Sequence, residues 1–198
     1  MIRVFNKFEP IPHGFVEVDT TSHGSFKDLS PFYLGPVVAH NNHIPMFCLR
    51  FENLWQYSKV YPQFALPPSV GHLLEPFSYE PTQAFFDWQK SGFLAGRANR
   101  YPMGKKAKPL YSWWHGEKLG YVEARKRIYI PNYANLVIAT RSYKMLYDWV
   151  MAGKNIALRD FDGYDHLSQN MTLNDVINNT RRSMGHAFII YGLLTGEL

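Results

Sequence analysis

The apolar positions of this chain change their spacing near residue 50. Before it they fall in short runs broken by proline and glycine: Ile2–Phe5, Phe15–Val18, Phe32–Val38 and Ile44–Leu49. Runs this short between turn formers predict β-strands, with Asn41-Asn42 as a turn between the last two. From Phe51 onward the spacing is helical. A helix is expected over Phe51–Lys59, closed by Pro62, Pro67 and Pro68, which open a long loop reaching Ser78. Pro81 stands at a first helical position ahead of Thr82–Lys90, with Gly92 beyond its end. Glu117–Tyr129 reads as helical until Pro131 interrupts it, and Arg141–Ala152 stops naturally at Gly153. Thr172, three residues before Asp175, predicts a capped helix over Leu173–Asn178. The last element is an apolar helix over Met184–Leu194, placed in the core. Together these elements predict an α+β fold: one predominantly helical domain spanning residues 1–198, with a small N-terminal β-sheet.

The first helix departs from the usual amphipathic pattern. Glu52, Gln56 and Lys59 recur at i, i+4 and i+7, the spacing that normally carries an apolar stripe, and Phe51, Leu54, Trp55 and Tyr57 flank them. A polar stripe among large aromatics suits a lined pocket; a solvated helix face is the ordinary alternative.

Composition narrows the class. The 198 residues are 46% hydrophobic and 19% charged, ordinary proportions for a globular protein long enough to bury a sizeable core. Aromatic residues reach 16% and are spread along the whole chain, which favours ring stacking in a pocket as well as core packing. A formal charge of +5 favours anionic partners. Cys48 is the only cysteine, so no internal disulfide is possible, and its apolar neighbours make it a core residue rather than a nucleophile. The N-terminus lacks the basic-then-apolar order of a signal peptide, and no apolar run is long enough to span a bilayer. A cytoplasmic protein without membrane contact is expected.

Three clusters carry candidate chemistry. Arg97, Arg100, Lys105, Lys106 and Lys108 surround Gly104 and Tyr101, a set able to hold phosphate by charge and backbone N–H groups, or else a solvated basic loop. Trp113 and Trp114 follow and offer stacking faces. Asp160, Asp162, Asp165 and His166 surround Gly163, a set suited to acid–base work, to a hard cation, or to a tight turn. The calcium-loop pattern is not met there. Arg181, Arg182 and Ser183 precede the last helix, as an anion site or an ordinary cap.

The order of these motifs resembles the NADAR, or YbiA-like, family. Asp28-Leu29-Ser30-Pro31-Phe32 is similar to that family's opening D-F-S-N-F segment, and Glu52-x-x-x-Gln56-x-x-Lys59 to its E-H-x-x-Q-x-x-K helix. Tyr101–Lys105 through Trp114 resembles its R-M-G-R…W segment, and Arg181–Gly185 lies where it has G-x-N-x-L-G. The likeness runs collinearly from about Asp28 to Leu194, with Asn53 in place of the family's His and Arg182 in place of an Asn.

The resemblance implies a YbiA-like α+β fold and cleavage of N-glycosidic bonds, in phosphoribosylamino riboflavin intermediates or in ADP-ribose attached to guanine. It makes Glu52 and Lys59 the central pair, with Trp114 and Gly104 near the ligand. The residues themselves fit that chemistry. A carboxylate such as Glu52 stabilises an anomeric cation or activates water, and an amine such as Lys59 attacks the sugar carbon to form an imine. Asp160, Asp162 and His166 are candidate second acid–base groups. Gln56, Arg97, Arg100, Tyr101, Gly104, Lys105, Trp114 and Arg182 are the expected substrate contacts. The expected partner is a phosphorylated or ADP-ribosylated nucleotide-like substrate, free or within nucleic acid, and neither metal nor organic cofactor is required. Two alternatives stand beside this reading. One is a non-catalytic nucleotide or nucleic-acid binding protein that keeps the pocket. The other is a metal-dependent hydrolase built on Asp160, Asp162, Asp165 and His166.

Overall fold

A computed structural model describes residues 1–67 and 75–198 of the chain. In chain order its strands are β1 (Ile2–Asn6), β2 (Val16–Asp19), β3 (Val37–Asn41), β4 (Ile44–Cys48), β5 (Lys59–Val60), β6 (Ala65–Leu66), β7 (Glu80–Pro81), β8 (Tyr111–Trp114), β9 (Glu117–Leu119) and β10 (Ile156–Asp160). Its α-helices are α1 (Phe51–Tyr57), α2 (Gln83–Leu94), α3 (Tyr121–Ala124), α4 (Ile130–Val137), α5 (Arg141–Met151), α6 (Leu173–Asn178) and α7 (Ala187–Thr195). The fold is mixed α/β. Contacts group it into two compact units: Met1–Leu34 with Ile130–Leu198, and the intervening Gly35–Tyr129.

The first unit is built on a parallel sheet in the order β1-β10-β2, with Ile2 and Val16 both level with Ile156. β10 lies between its partners and buries Ile156, Ala157 and Leu158 in succession, as a strand covered on both faces must. α7 packs against β1, β10, α4 and α5, and residues Ala187–Gly192 are buried all round. The apolar character of this helix follows from that position. The Tyr133 hydroxyl donates to the Leu29 carbonyl, and the Asp28 carboxylate accepts from the Ser142 amide at the start of α5.

The second unit carries the β3–β4 hairpin, the antiparallel sheet β5-β8-β9, the short β6–β7 pair, and α1 packed on α2. Val60, Phe85, Phe86 and Tyr111 form a core cluster in it.

Several expectations are met closely. Thr172 and Asp175 form a complete capping box on α6, and Thr140 caps α5, which ends before Gly153 at φ +75°. Others need correction. β1 and β2 do not make an N-terminal sheet of their own, since each pairs with β10 rather than with the other. The third strand starts only at Val37, after Pro36, which has no N–H to give a ladder. The residues over 117–119 form a strand because His115 (φ +49°) and Gly116 (φ +83°) turn the chain into a β8–β9 hairpin. Pro131 lies inside helical backbone, preceded by a π-helical stretch over Arg125–Tyr129. Pro81 belongs to β7, and Thr82 is the residue flanking α2. Pro68 and the middle of the long loop lie outside the described residues.

Gly92 is within α2 and not beyond its end. A Cβ there would lie 2.0 Å from the Tyr57 ring, so the missing side chain is what lets α2 approach α1. Gly92→Ala should therefore destabilise by about 1–3 kcal/mol through overpacking, despite alanine's better helix propensity. A melting temperature at or above that of the parent protein would refute this close approach.

Candidate functional site

The polar stripe of the first helix is buried. Glu52 is 5% exposed and Gln56 8%, both on α1. Lys59 does not continue the helix. The Ser58 hydroxyl donates back to the Leu54 carbonyl, the backbone then extends, and Lys59 opens β5 opposite Ser112 of β8. The three side chains still meet. Lys59 Nζ donates to Gln56 Oε1 at 2.8 Å, and Gln56 Nε2 donates to Glu52 Oε1 at 2.8 Å. The amide thus relays one polarity from amine to carboxylate, using its acceptor on one side and its donor on the other.

Electrostatics set the amine apart. Burial pushes the Lys59 amine down to about 8; Glu52 pulls it back up and the Arg100 cation pushes it down again. An amine in that range has a substantial neutral fraction near neutral pH and is able to act as a nucleophile. Its ammonium lies 4.7 Å from the Trp55 ring centroid. Trp55 in turn neighbours Tyr121, whose ring lies 4.5 Å from the buried Arg125 guanidinium. Sequence reasoning missed this second line of residues. The i, i+4 spacing of Tyr121 and Arg125 is its one local signal, and the π-helical stretch that begins at Arg125 is a feature often found at functional sites.

The basic loop is joined to the same helix by Asn53. This fully buried amide donates to the Ala95 and Arg97 carbonyls and accepts from the Asn99 amide. Asn53 therefore holds in place the loop that carries Arg97 and Arg100. Beyond it, Tyr101 is exposed, with the Arg100 guanidinium 5.4 Å and the Lys105 ammonium 5.8 Å from its ring centroid. Gly104 adopts φ +87° and closes a turn by donating to the Tyr101 carbonyl. Trp114 is buried in β8, so Tyr101 is the more accessible stacking face. Glu52, Gln56, Lys59, Arg97, Arg100, Tyr101, Gly104, Lys105 and Trp114 all belong to the Gly35–Tyr129 unit.

Asp160, Asp162 and Arg182 belong to the other unit. Asp160 ends β10, with Oδ2 at 3.0 Å from His186 Nδ1 and accepting from the Ala187 amide. Burial alone would raise its pKa, but the His186 charge and hydrogen bond, with the Ala187 and Asp162 amides, hold it at about 2. It has no proton to give near neutral pH, which removes it as a general acid. Asp162 lines an open cleft of about 380 Å³ with Asn6, Glu9, Tyr164, Arg181 and Arg182. The Arg182 guanidinium stacks 4.3 Å from the Tyr164 ring and donates to Gln169 Oε1 at 2.9 Å.

The carboxylates proposed for a metal do not converge. Asp160 faces His186, Asp165 pairs with Arg3, and His166 is enclosed by Phe188 and Tyr191 with both ring nitrogens unpartnered. Among the described residues no group of three or more His, Cys, Asp or Glu is placed to hold a metal ion. No described helix is long and apolar enough to cross a membrane. Compared with protein-family models, with curated proteins and with solved structures, the chain matches none of them.

Proposed function

We propose that the chain is an N-glycosidase, a hydrolase that cleaves the bond between a sugar and a nitrogen base in a phosphorylated or ADP-ribosylated nucleoside-like substrate. The observation that carries this reading is the buried Glu52–Gln56–Lys59 relay, which joins a depressed amine to a carboxylate through a single amide. The motif order shared with the NADAR family supports the same chemistry.

In this mechanism neutral Lys59 attacks the anomeric carbon. The new C–N bond forms as the bond to the base breaks, and the base leaves with a proton. Opening of the sugar ring converts the adduct to an imine, and water then returns the free amine and the sugar. Glu52 stabilises the cationic sugar and removes a proton from the attacking water. Arg97, Arg100 and Lys105 hold the phosphate, and Tyr101 stacks the base. No step calls for a metal or organic cofactor.

The test is release of guanosine and ADP-ribose from ADP-ribosylated guanosine, or of the amino base from a phosphoribosylamino substrate, followed by mass spectrometry. Borohydride added during turnover should fix the sugar on Lys59, and Lys59→Ala should give no adduct. The rate should rise as pH climbs through about 8, because the attacking form of Lys59 is the neutral one. Full turnover in Lys59→Ala would remove the imine route and leave direct attack by water.

One observation favours a second reading, a non-catalytic nucleotide or nucleic-acid binding protein. Arg97, Lys105, Lys106 and Lys108 are all exposed around Tyr101, a solvated set suited to a phosphate backbone. Salt-dependent affinity for DNA or RNA without any base or sugar product would select it.

A further inference from the structure

Two hairpin turns in the Gly35–Tyr129 unit exchange histidines. The β3–β4 turn has Asn42 at φ +44° and His43 at φ +67°; the β8–β9 turn has His115 at φ +49° and Gly116 at φ +83°. Both turns thus have positive φ at their two central residues, the hand that suits two-residue hairpins and favours glycine at the second position. His43 occupies that position in the first turn, at a cost in backbone energy that glycine would avoid. Its imidazole covers the other turn: a Cβ on Gly116 would lie 2.5 Å from His43 Cε1. In return the His115 ring lies with its centroid 4.2 Å from that of His40 on β3.

We propose that His40, His43 and His115 form a proton-operated latch, which holds the Asn42-His43 turn against the His115-Gly116 turn at neutral pH and releases it in mild acid. Neutral imidazoles pack together, whereas each added proton sets a cation beside its neighbours. The groups facing His115 have mixed signs. Burial pushes its pKa down, His40 and Arg127 push it further, Glu117 pulls it up, and His43 pushes it down. Glu117 is itself engaged by Arg127 in a two-pronged ion pair, and the Trp114 ring meets His115 edge-on at 4.6 Å between centroids, while His115 keeps an exposed side. His40 Nδ1 is buried without a hydrogen-bond partner, so no acceptor is in place for a proton on that atom. A group with a lowered folded-state pKa stabilises its contact above the unfolded value, near 6.5 for histidine, and loses that contribution as pH falls through the folded value. Asn41 stays tied to the Phe86 carbonyl and Gln89 of α2, which confines the release to the turn.

The latch is tested by amide hydrogen exchange over residues 41–44 and 115–116 at about pH 5.5 and about pH 7.5, corrected for the intrinsic rate. The expected result is a several-fold loss of protection in acid, because the folded-state pKa of His115 lies below its ordinary value. His115→Asn tolerates the left-handed backbone and should remove most of that loss. Side-chain NMR of the unaltered protein supplies a second readout, in which the His115 ring should titrate below the ordinary histidine range. Unchanged protection in acid, equal loss in the variant, or a His115 titration at the ordinary value would each overturn the proposal.

Discussion

Glu52→Gln should reduce turnover by about a hundredfold to a thousandfold or more, while leaving the fold and ligand affinity nearly intact. The substitution keeps volume and shape. A glutamine at 52 still presents an acceptor to Gln56 Nε2, the contact that the carboxylate now makes at 2.8 Å. What disappears is the negative charge. Glu52 is the neighbour that pulls the Lys59 amine up, so its loss leaves burial and Arg100 to push that amine further below about 8. Lys59 therefore becomes more fully neutral at working pH, and any loss of rate belongs to the carboxylate rather than to a shortage of free amine. The measurement is single-turnover release of base, alongside thermal melting and ligand titration. Full activity in Glu52→Gln would sink the N-glycosidase assignment. A large loss of rate together with a fall of many degrees in melting temperature would instead make Glu52 a structural residue.

The elements legible in the sequence are those whose signals are local. The capping box at Thr172 and Asp175 and the stop at Gly153 each lie within a few residues of what they control, and both helices form where those signals place them. The strands at Ile2–Asn6 and Val16–Asp19 are visible as apolar runs, but their partner β10 lies more than a hundred residues away, and nothing in the runs names it. Gly92 looks like a helix stop because its reason for being glycine is the Tyr57 ring on another helix. The i, i+4, i+7 spacing places Lys59 on a helical face it does not share. It meets Gln56 only because the chain extends after Ser58 and the long amine reaches back. Asn53 looks like a departure from a family pattern, and its three hydrogen bonds become visible only with the 95–99 segment folded over it. The His115-Gly116 turn is within reach of sequence reasoning, since glycine after a polar residue is a common hairpin signal, but the charged positions that follow it mimic a helix.

Asp160 and His186 show the same limit with the largest consequence for stability. Asp160 lies in a cluster that looks like a candidate site of its own, yet it forms a buried pair with His186, more than twenty residues further along the chain. His186 Nε2 faces the Thr20 carbonyl at 2.8 Å while Nδ1 faces the Asp160 carboxylate, so each ring nitrogen meets an acceptor, an arrangement that favours a proton on both. The fit is close enough that a Cβ on Gly185 would lie 2.2 Å from Asp160 Oδ2. Asp160→Ala removes one member of this pair and leaves the imidazole and the Ala187 amide without their acceptor. Removing one partner of a buried pair costs about 3–5 kcal/mol, far more than the intact pair contributes relative to an apolar replacement. At roughly 2–4 °C per kcal/mol for a chain of this length, the melting temperature should fall by about 10 °C. The pH dependence has a defined sign. The folded-state pKa lies below the unfolded one, so the pair's contribution is present above the ordinary carboxylate range and is lost as pH falls towards about 2. Denaturant midpoints measured from neutral pH downward should therefore converge for the parent protein and Asp160→Ala in strong acid. A variant that melts within a degree or two of its parent at neutral pH would show that the pair is not formed.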